Sequence, residues 1–238
     1  MSGFTKEELI RYSRQWRLEE IGIEGQTKIK SAKVLVIGAG GLGCPILQYL
    51  CGMGIGTIGV LDFDTVEVHN LHRQILYTTE DLKKPKAIQA SERLKKINPN
   101  VSINTHNEML TENNAELIFA HYDIIVDGSD NFTTRYLVND TCVKHNKTLV
   151  YGSIYNFEGQ VTVFNYKESK NLRDLFPEPP AAEDAPDCNE NGVLGVVPGI
   201  IGTLMALETM KLILEKNQDE NILRIYNLMT GDLIKLTY

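Results

Sequence analysis

The chain has 238 residues, 42% apolar and 23% charged, with a formal net charge of −7. That length suits one large α/β domain, or a domain with a small appendage, and the apolar share supplies a full core. The negative balance argues against a protein whose business is gripping nucleic acid. No apolar signal-peptide core follows Met1, so a cytoplasmic location is expected, and no run of about 18 apolar residues predicts a membrane span. The most apolar segment, around Ile200 to Leu214, is interrupted by Thr203, Glu208 and Lys211 and reads as a buried or interface helix.

The cysteines are Cys44, Cys51, Cys142 and Cys188. None sits in a C-x-x-C pair, so a zinc site of paired cysteines cannot be built from them. The first three fall in predicted helices and read as small core hydrophobes. Cys188 lies in a polar, proline-rich loop, where packing has little use for it.

In chain order, Thr5 to Glu19 reads as an amphipathic helix capped by Thr5, with Glu8 completing a capping box. Its Arg11, Arg14 and Arg17 read, from periodicity, as a solvated face. Gly22 and Gly25 are expected to end the segment, and a short turn leads on to the first strand. Strands at 33–37, 57–62, 101–106, 123–127 and 148–151 then alternate with helices at 43–53, 85–97, 111–120 and 131–145. That alternation predicts a Rossmann-like α/β fold, a doubly wound, mostly parallel sheet with helices on both faces. Beyond Tyr151 the pattern changes to antiparallel strands at 157–166, 222–228 and 233–236, with an apolar helix from about Pro198 to Lys216. The stretch 167–191 between them is a long crossover loop, of the kind that is functional or disordered. No linker divides the chain, so a single domain over 1–238 is expected.

The apolar run Val34 to Ile37 enters Gly38-Ala39-Gly40-Gly41-Leu42-Gly43, which opens a helix, the first β–turn–α of a nucleotide-binding fold. Gly38, Gly40, Gly41 and Gly43 permit a tight turn, close approach of backbone to phosphate and close packing of helix on strand. Asp62 ends the second strand, where a carboxylate can accept hydrogen bonds from a ribose. These features leave an NAD-dependent oxidoreductase and an ATP-using enzyme both open. Asn70, Arg73, Gln74, Lys86, Asp130 and Asn131 favour the second. Charge that builds on phosphoryl oxygens as pyrophosphate leaves is stabilised by arginine, lysine and a metal. Asp130, at a strand end, is a suitable Mg²⁺ ligand.

With Arg11-Tyr12-Ser13-Arg14-Gln15, the glycine loop, Leu61-Asp62-Phe63-Asp64, Asn70-Leu71-His72-Arg73-Gln74, Pro85-Lys86 and Asp127 to Asn131, the chain resembles the ThiF/MoeB/HesA family. These are bacterial relatives of the ubiquitin-activating enzymes, and the resemblance runs from about Leu9 to Leu236. It implies ATP-dependent adenylation of the C-terminal glycine of a small ubiquitin-like sulfur carrier ending in Gly-Gly, for thiamine or molybdopterin synthesis. By position it implies Asp62 at the ribose, with Asp64 in the same motif, Gly41, Asn70, Arg73 and Lys86 at the phosphates, and Asp130 on Mg²⁺. It also implies a homodimer in which Arg14 reaches the neighbouring site, which revises the solvated-face reading, and a covalent role for Cys188 with the carrier. A non-catalytic, carrier-binding member of the same family is the alternative. The chain departs from the family at Asn171 and Asp174, where a cysteine pair precedes Leu175-Phe176-Pro177-Glu178-Pro179-Pro180. A zinc-free variant is therefore expected. His72 stands where glutamine or asparagine is usual.

Overall fold

The computed structural model describes residues 3–180, 192–216 and 221–238. Eight strands form one sheet in the order β3-β2-β1-β4-β5-β6-β7-β8. β1 (Lys33–Ile37), β2 (Thr57–Leu61), β3 (Ser102–His106), β4 (Ile124–Asp127) and the start of β5 (Thr148–Tyr155) run parallel. β6 (Glu158–Phe164), β7 (Ile222–Asn227) and β8 (Asp232–Thr237) continue the sheet antiparallel. This is the doubly wound arrangement that the alternation predicts, with β5 longer than expected because it turns directly into a hairpin with β6.

Strand geometry sends alternate side chains to opposite faces, and β1 divides the core accordingly. Val34 and Val36 join a cluster formed with α3 (Gly43–Met53), α4 (Lys86–Ile97) and the long helix α8 (Val196–Ile213). Leu35 and Ile37 join a second cluster with α5 (Glu112–Phe119) and α6 (Phe132–Lys144). Cys44, Cys51 and Cys142 are buried in these clusters, as their predicted places require. Burial pushes the Cys44 thiol up to about 12 and the Cys51 thiol to about 11, and raises Cys142 as well. Thiols so held are poor nucleophiles at neutral pH.

Among the described residues α8 is the one helix long and apolar enough to cross a membrane, yet half of it is buried within the protein. It seats closely on its neighbours because three positions carry no side chain. A methyl at Gly152 would lie 2.2 Å from Met205, one at Gly159 2.2 Å from Ile201, and one at Gly202 2.5 Å from the Leu42 carbonyl oxygen.

The N-terminal region departs from expectation. The Thr5–Glu8 capping box is present, but α1 ends after six residues (Lys6–Arg11). Tyr12 caps it and turns inward, where its hydroxyl accepts a 2.8 Å hydrogen bond from Asn98 Nδ2. Gly22 and Gly25 do not end a helix; they lie in one, α2 (Gly22–Ser31), which the sequence reading missed. Gly25 is there for space, since a methyl would lie 2.9 Å from Leu214. Within 167–180, the crossover segment forms a short helix, α7 (Leu172–Leu175).

Two glycines two residues apart test this packing. Gly54 has φ +87°, and a methyl there would stand 2.5 Å from the Tyr12 ring, whereas Gly52 has open space on the α3 surface. Urea unfolding is expected to give a loss of about 2 kcal/mol or more for Gly54→Ala, and no loss, or a gain of about 0.5–1 kcal/mol, for Gly52→Ala.

Candidate functional site

The carboxyl ends of β1, β2 and β4 open on a single cleft, at the point where the strand order reverses between β1 and β4. Open α/β sheets bind ligands at such a point. Of the residues singled out in the sequence, Gly38, Gly40, Gly41, Asp62, Asp64, Arg73, Gln74, Lys86 and Asp130 line it.

The glycine loop is shaped from beneath. Gly38 has φ +84°, and a methyl on it would stand 2.8 Å from the Gly128 carbonyl oxygen. A methyl at Gly43 would lie 1.9 Å from the Gly38 oxygen, so Gly43 serves the close start of α3 and not the cleft wall. Asp62, buried at the end of β2, accepts the Ala39 N–H at 2.7 Å and the Asp64 N–H at 2.8 Å. Burial raises its carboxyl above the usual carboxylate range, against the pull of the Lys86 cation. Each oxygen keeps a second lone pair for a hydroxyl donor.

Lys86 is brought in by its own backbone, whose N–H bonds to the Asp64 carbonyl at 2.8 Å. Its ammonium, on a buried side chain, lies 3.0 Å from the exposed Asp64 carboxylate. Arg73 and Gln74 ride on a short turn at Val68–Asn70, with both backbone N–H groups donating to the Asn70 carbonyl. Asn70 itself is buried and accepts from the Glu67 N–H, so it builds the turn and does not line the cleft. Arg73 donates to the His69 carbonyl at 2.9 Å, and Gly195 packs against the backbone of His72 and Arg73. His72 bridges the same two segments, with ring nitrogens 2.9 Å from the His69 oxygen and 3.2 Å from the Val193 oxygen. On the other side, the exposed Asp130 follows β4, and Asn131 caps α6 by accepting the Thr134 N–H.

Arg14 is exposed on the turn beyond α1 and is not part of the cleft of its own chain. Cys188 lies outside the described residues. Arg135, which lines the cleft beside Ser129, and Tyr77, which buries its hydroxyl beneath the loop 2.8 Å from the Ala39 carbonyl oxygen, escaped the sequence reading. Arg135 carried a readable signal, a cation near the N-terminus of a helix, where the dipole disfavours positive charge. Tyr77 carried none.

The donor set fits a magnesium nucleotide. Backbone without Cβ atoms faces two cations, Gln74 Oε1 is buried without a partner, and Asp130 offers a free hard oxygen donor. Mg²⁺ is commonly bound by one or two carboxylates together with phosphates and waters. No group of three His, Cys, Asp or Glu residues converges among the described residues.

The family profile described as ThiF matches residues 12–237. The chain belongs to the ThiF family. It is 48% identical over 240 residues to the sulfur carrier protein adenylyltransferase of Thermus thermophilus, covering 98% of this chain and 89% of that protein. It is 51% identical over 214 residues to the adenylyltransferase and sulfurtransferase MOCS3 of Culex quinquefasciatus, covering 90% of this chain and 49% of that one. The chain thus spans about half the length of the MOCS3 relatives it matches. Crystal structures of PaaA and of E. coli MccB with ATP superpose with TM-scores of 0.84 and 0.81. They cover 100% and 95% of this chain, and it covers 75% and 71% of theirs. At 20% and 22% identity, that likeness concerns the fold.

Where the family pattern has cysteines, this ThiF-family chain has a polar anchor. Asn171 and Asp174 cap α7 reciprocally, Asp174 Oδ2 accepting the Asn171 N–H at 2.8 Å. Asn139 holds Leu172 N–H at 2.9 Å, and Arg173 forms a forked pair with Asp140 at 2.7 and 2.8 Å. The cap is expected to carry the local stability without an ion. Asp174→Ala should cost about 1 kcal/mol, and EDTA should leave the urea midpoint of the unsubstituted chain unchanged. A chelator-induced fall in that midpoint would count against it.

Proposed function

We propose that the cleft binds ATP with Mg²⁺ and transfers AMP to the C-terminal carboxylate of a small ubiquitin-like sulfur carrier ending in Gly-Gly, in thiamine or molybdopterin synthesis. The observation that carries the reading is the convergence of Arg73, Lys86 and the Asp130 carboxylate around one glycine loop. A hydride-transfer enzyme has no need of two cations and a free carboxylate at its phosphate loop. A carboxylate oxygen of the carrier attacks the α-phosphorus, the bond to the bridging oxygen breaks, and pyrophosphate leaves with its electron pair. An acyl-adenylate results, which is open to sulfur attack where a bare carboxylate is not.

The chain's own residues have separate tasks in this reading. Asp62 orients the ribose with the lone pairs its backbone partners leave free. Gly40 and Gly41 let the chain approach the phosphates, and Arg73 and Lys86 stabilise the charge that develops on them. Asp130 would hold Mg²⁺, which when bound neutralises the phosphates and orients them. A second copy is proposed to supply Arg14, exposed on this chain, and Cys188 is proposed as the thiol that carries the carrier's acyl group. A relative named as a sulfur carrier protein adenylyltransferase and another named as an adenylyltransferase and sulfurtransferase support the reading.

ATP–pyrophosphate exchange with candidate carriers ending in Gly-Gly tests it. Exchange is expected with one carrier, and Lys86→Ala and Asp130→Ala should each lower the rate by roughly 10²-fold or more. No exchange with any carrier would sink the adenylation reading, and exchange surviving Asp130→Ala would sink the assigned metal role.

A further inference from the structure

Arg135 stands at the fourth position of α6 and is 8% exposed. Its position opposes the helix dipole, and taking a guanidinium out of water costs several kcal/mol unless it is well paired. Among the described residues it nevertheless has no ion-pair partner. Nη1 donates to the Tyr151 hydroxyl at 3.1 Å and Nη2 to the Ser129 carbonyl at 3.2 Å, while Nε has no partner. The rings of Phe132 and Tyr151 each lie 5.4 Å from its central carbon. Asp127 balances its charge from further off, with Oδ1 accepting the Ser129 N–H and Oδ2 buried without a hydrogen bond. An apolar side chain of similar volume would serve stability at least as well here. Stability alone does not account for an arginine.

What the guanidinium holds is more telling. The Ser129 carbonyl belongs to the peptide that leads into Asp130. The rest of that turn is fixed from other directions. Gly128 N–H bonds to the Ile37 carbonyl at 2.8 Å, Ser129 N–H to Asp127 at 2.9 Å, and Asn131 caps α6 at 2.9 Å. Without Arg135, the peptide between Ser129 and Asp130 would be the unrestrained link. The Asp130 side chain itself makes no hydrogen bond or ion pair among the described residues, so its direction is set by its backbone. A planar fork suits the task because its two ends hold the carbonyl and the phenol at once in a fixed geometry.

We propose that Arg135 is a positioning residue for Asp130, locking the Ser129–Asp130 peptide to β5 so that the Asp130 carboxylate meets the nucleotide's divalent cation in one geometry. The inference rests on the nucleotide–metal reading above.

The test is equilibrium binding of a non-hydrolysable fluorescent ATP analogue, with and without Mg²⁺, to the full chain, Arg135→Met, Asp130→Ala and the double variant. Arg135→Met is expected to weaken binding with Mg²⁺ by about tenfold and to leave metal-free binding unchanged. In the Asp130→Ala background it should add nothing, because both changes remove the same contribution. Equal weakening with and without metal, additivity in the double variant, or no weakening would each overturn the inference. If the unsubstituted chain binds the analogue no better with Mg²⁺ than without, the metal reading itself fails, which is a separate outcome. Should Arg135→Met not fold, Tyr151→Phe removes only the Nη1 acceptor and is expected to give a smaller loss with the same metal dependence. A Tyr151→Phe chain that binds as the unsubstituted one does would overturn the lock to β5.

Discussion

A single residue, Ala39, joins the parts of the cleft. The Ala39 N–H goes to the Asp62 carboxylate at 2.7 Å, and its carbonyl receives the Tyr77 hydroxyl at 2.8 Å. The first contact ties the glycine loop to the end of β2. The second ties it to the segment before α4, from which Lys86 reaches in. Tyr77 sits within 3.3 Å of the Lys86 carbonyl as well, so one buried phenol spans both. Unmet buried polar groups cost about 1–3 kcal/mol, so these bonds are expensive to leave unmade. The loop is thereby shaped before any phosphate arrives, and little ordering remains to be done on binding.

The sheet carries this arrangement because both of its faces are covered. β1 sends alternate side chains into two separate cores, and its carboxyl end emerges between them at the cleft. On one face α8 lies close enough to contact glycines of β5 and β6 directly. The same helix begins beside the cleft, where Pro198 would meet a methyl on Gly41 at 3.2 Å. The roof of the loop and the packing of the antiparallel strands are thus set by one rigid element.

Much of this was legible in the residues. The parallel strands, the antiparallel extension and most of the cleft wall follow from periodicity, a glycine cluster and polar residues at strand ends. What escaped has a physical reason in each case. Gly22 and Gly25 look like helix breakers, but Gly25 is needed for contact with Leu214, and local propensity cannot register a partner nearly 190 residues away. The shortening of α1 depends on Tyr12 reaching Asn98, again a distant contact. Tyr77 acts through backbone carbonyls, which no side-chain pattern announces, whereas Arg135 is marked only by its charge near a helix N-terminus. Asn70 and Asn131 show a related ambiguity, because capping and ligand binding use the same side chains at the same places.

The polar anchor around α7 has a consequence for how the chain is built. Its contacts run from Asn139 and Asp140 to Asn171 and Arg173, separations of 32 and 33 residues, and the cap itself spans three. Every partner precedes β7 and β8. During synthesis, the entry to the crossover can therefore be fastened while β7 and β8 are still unmade.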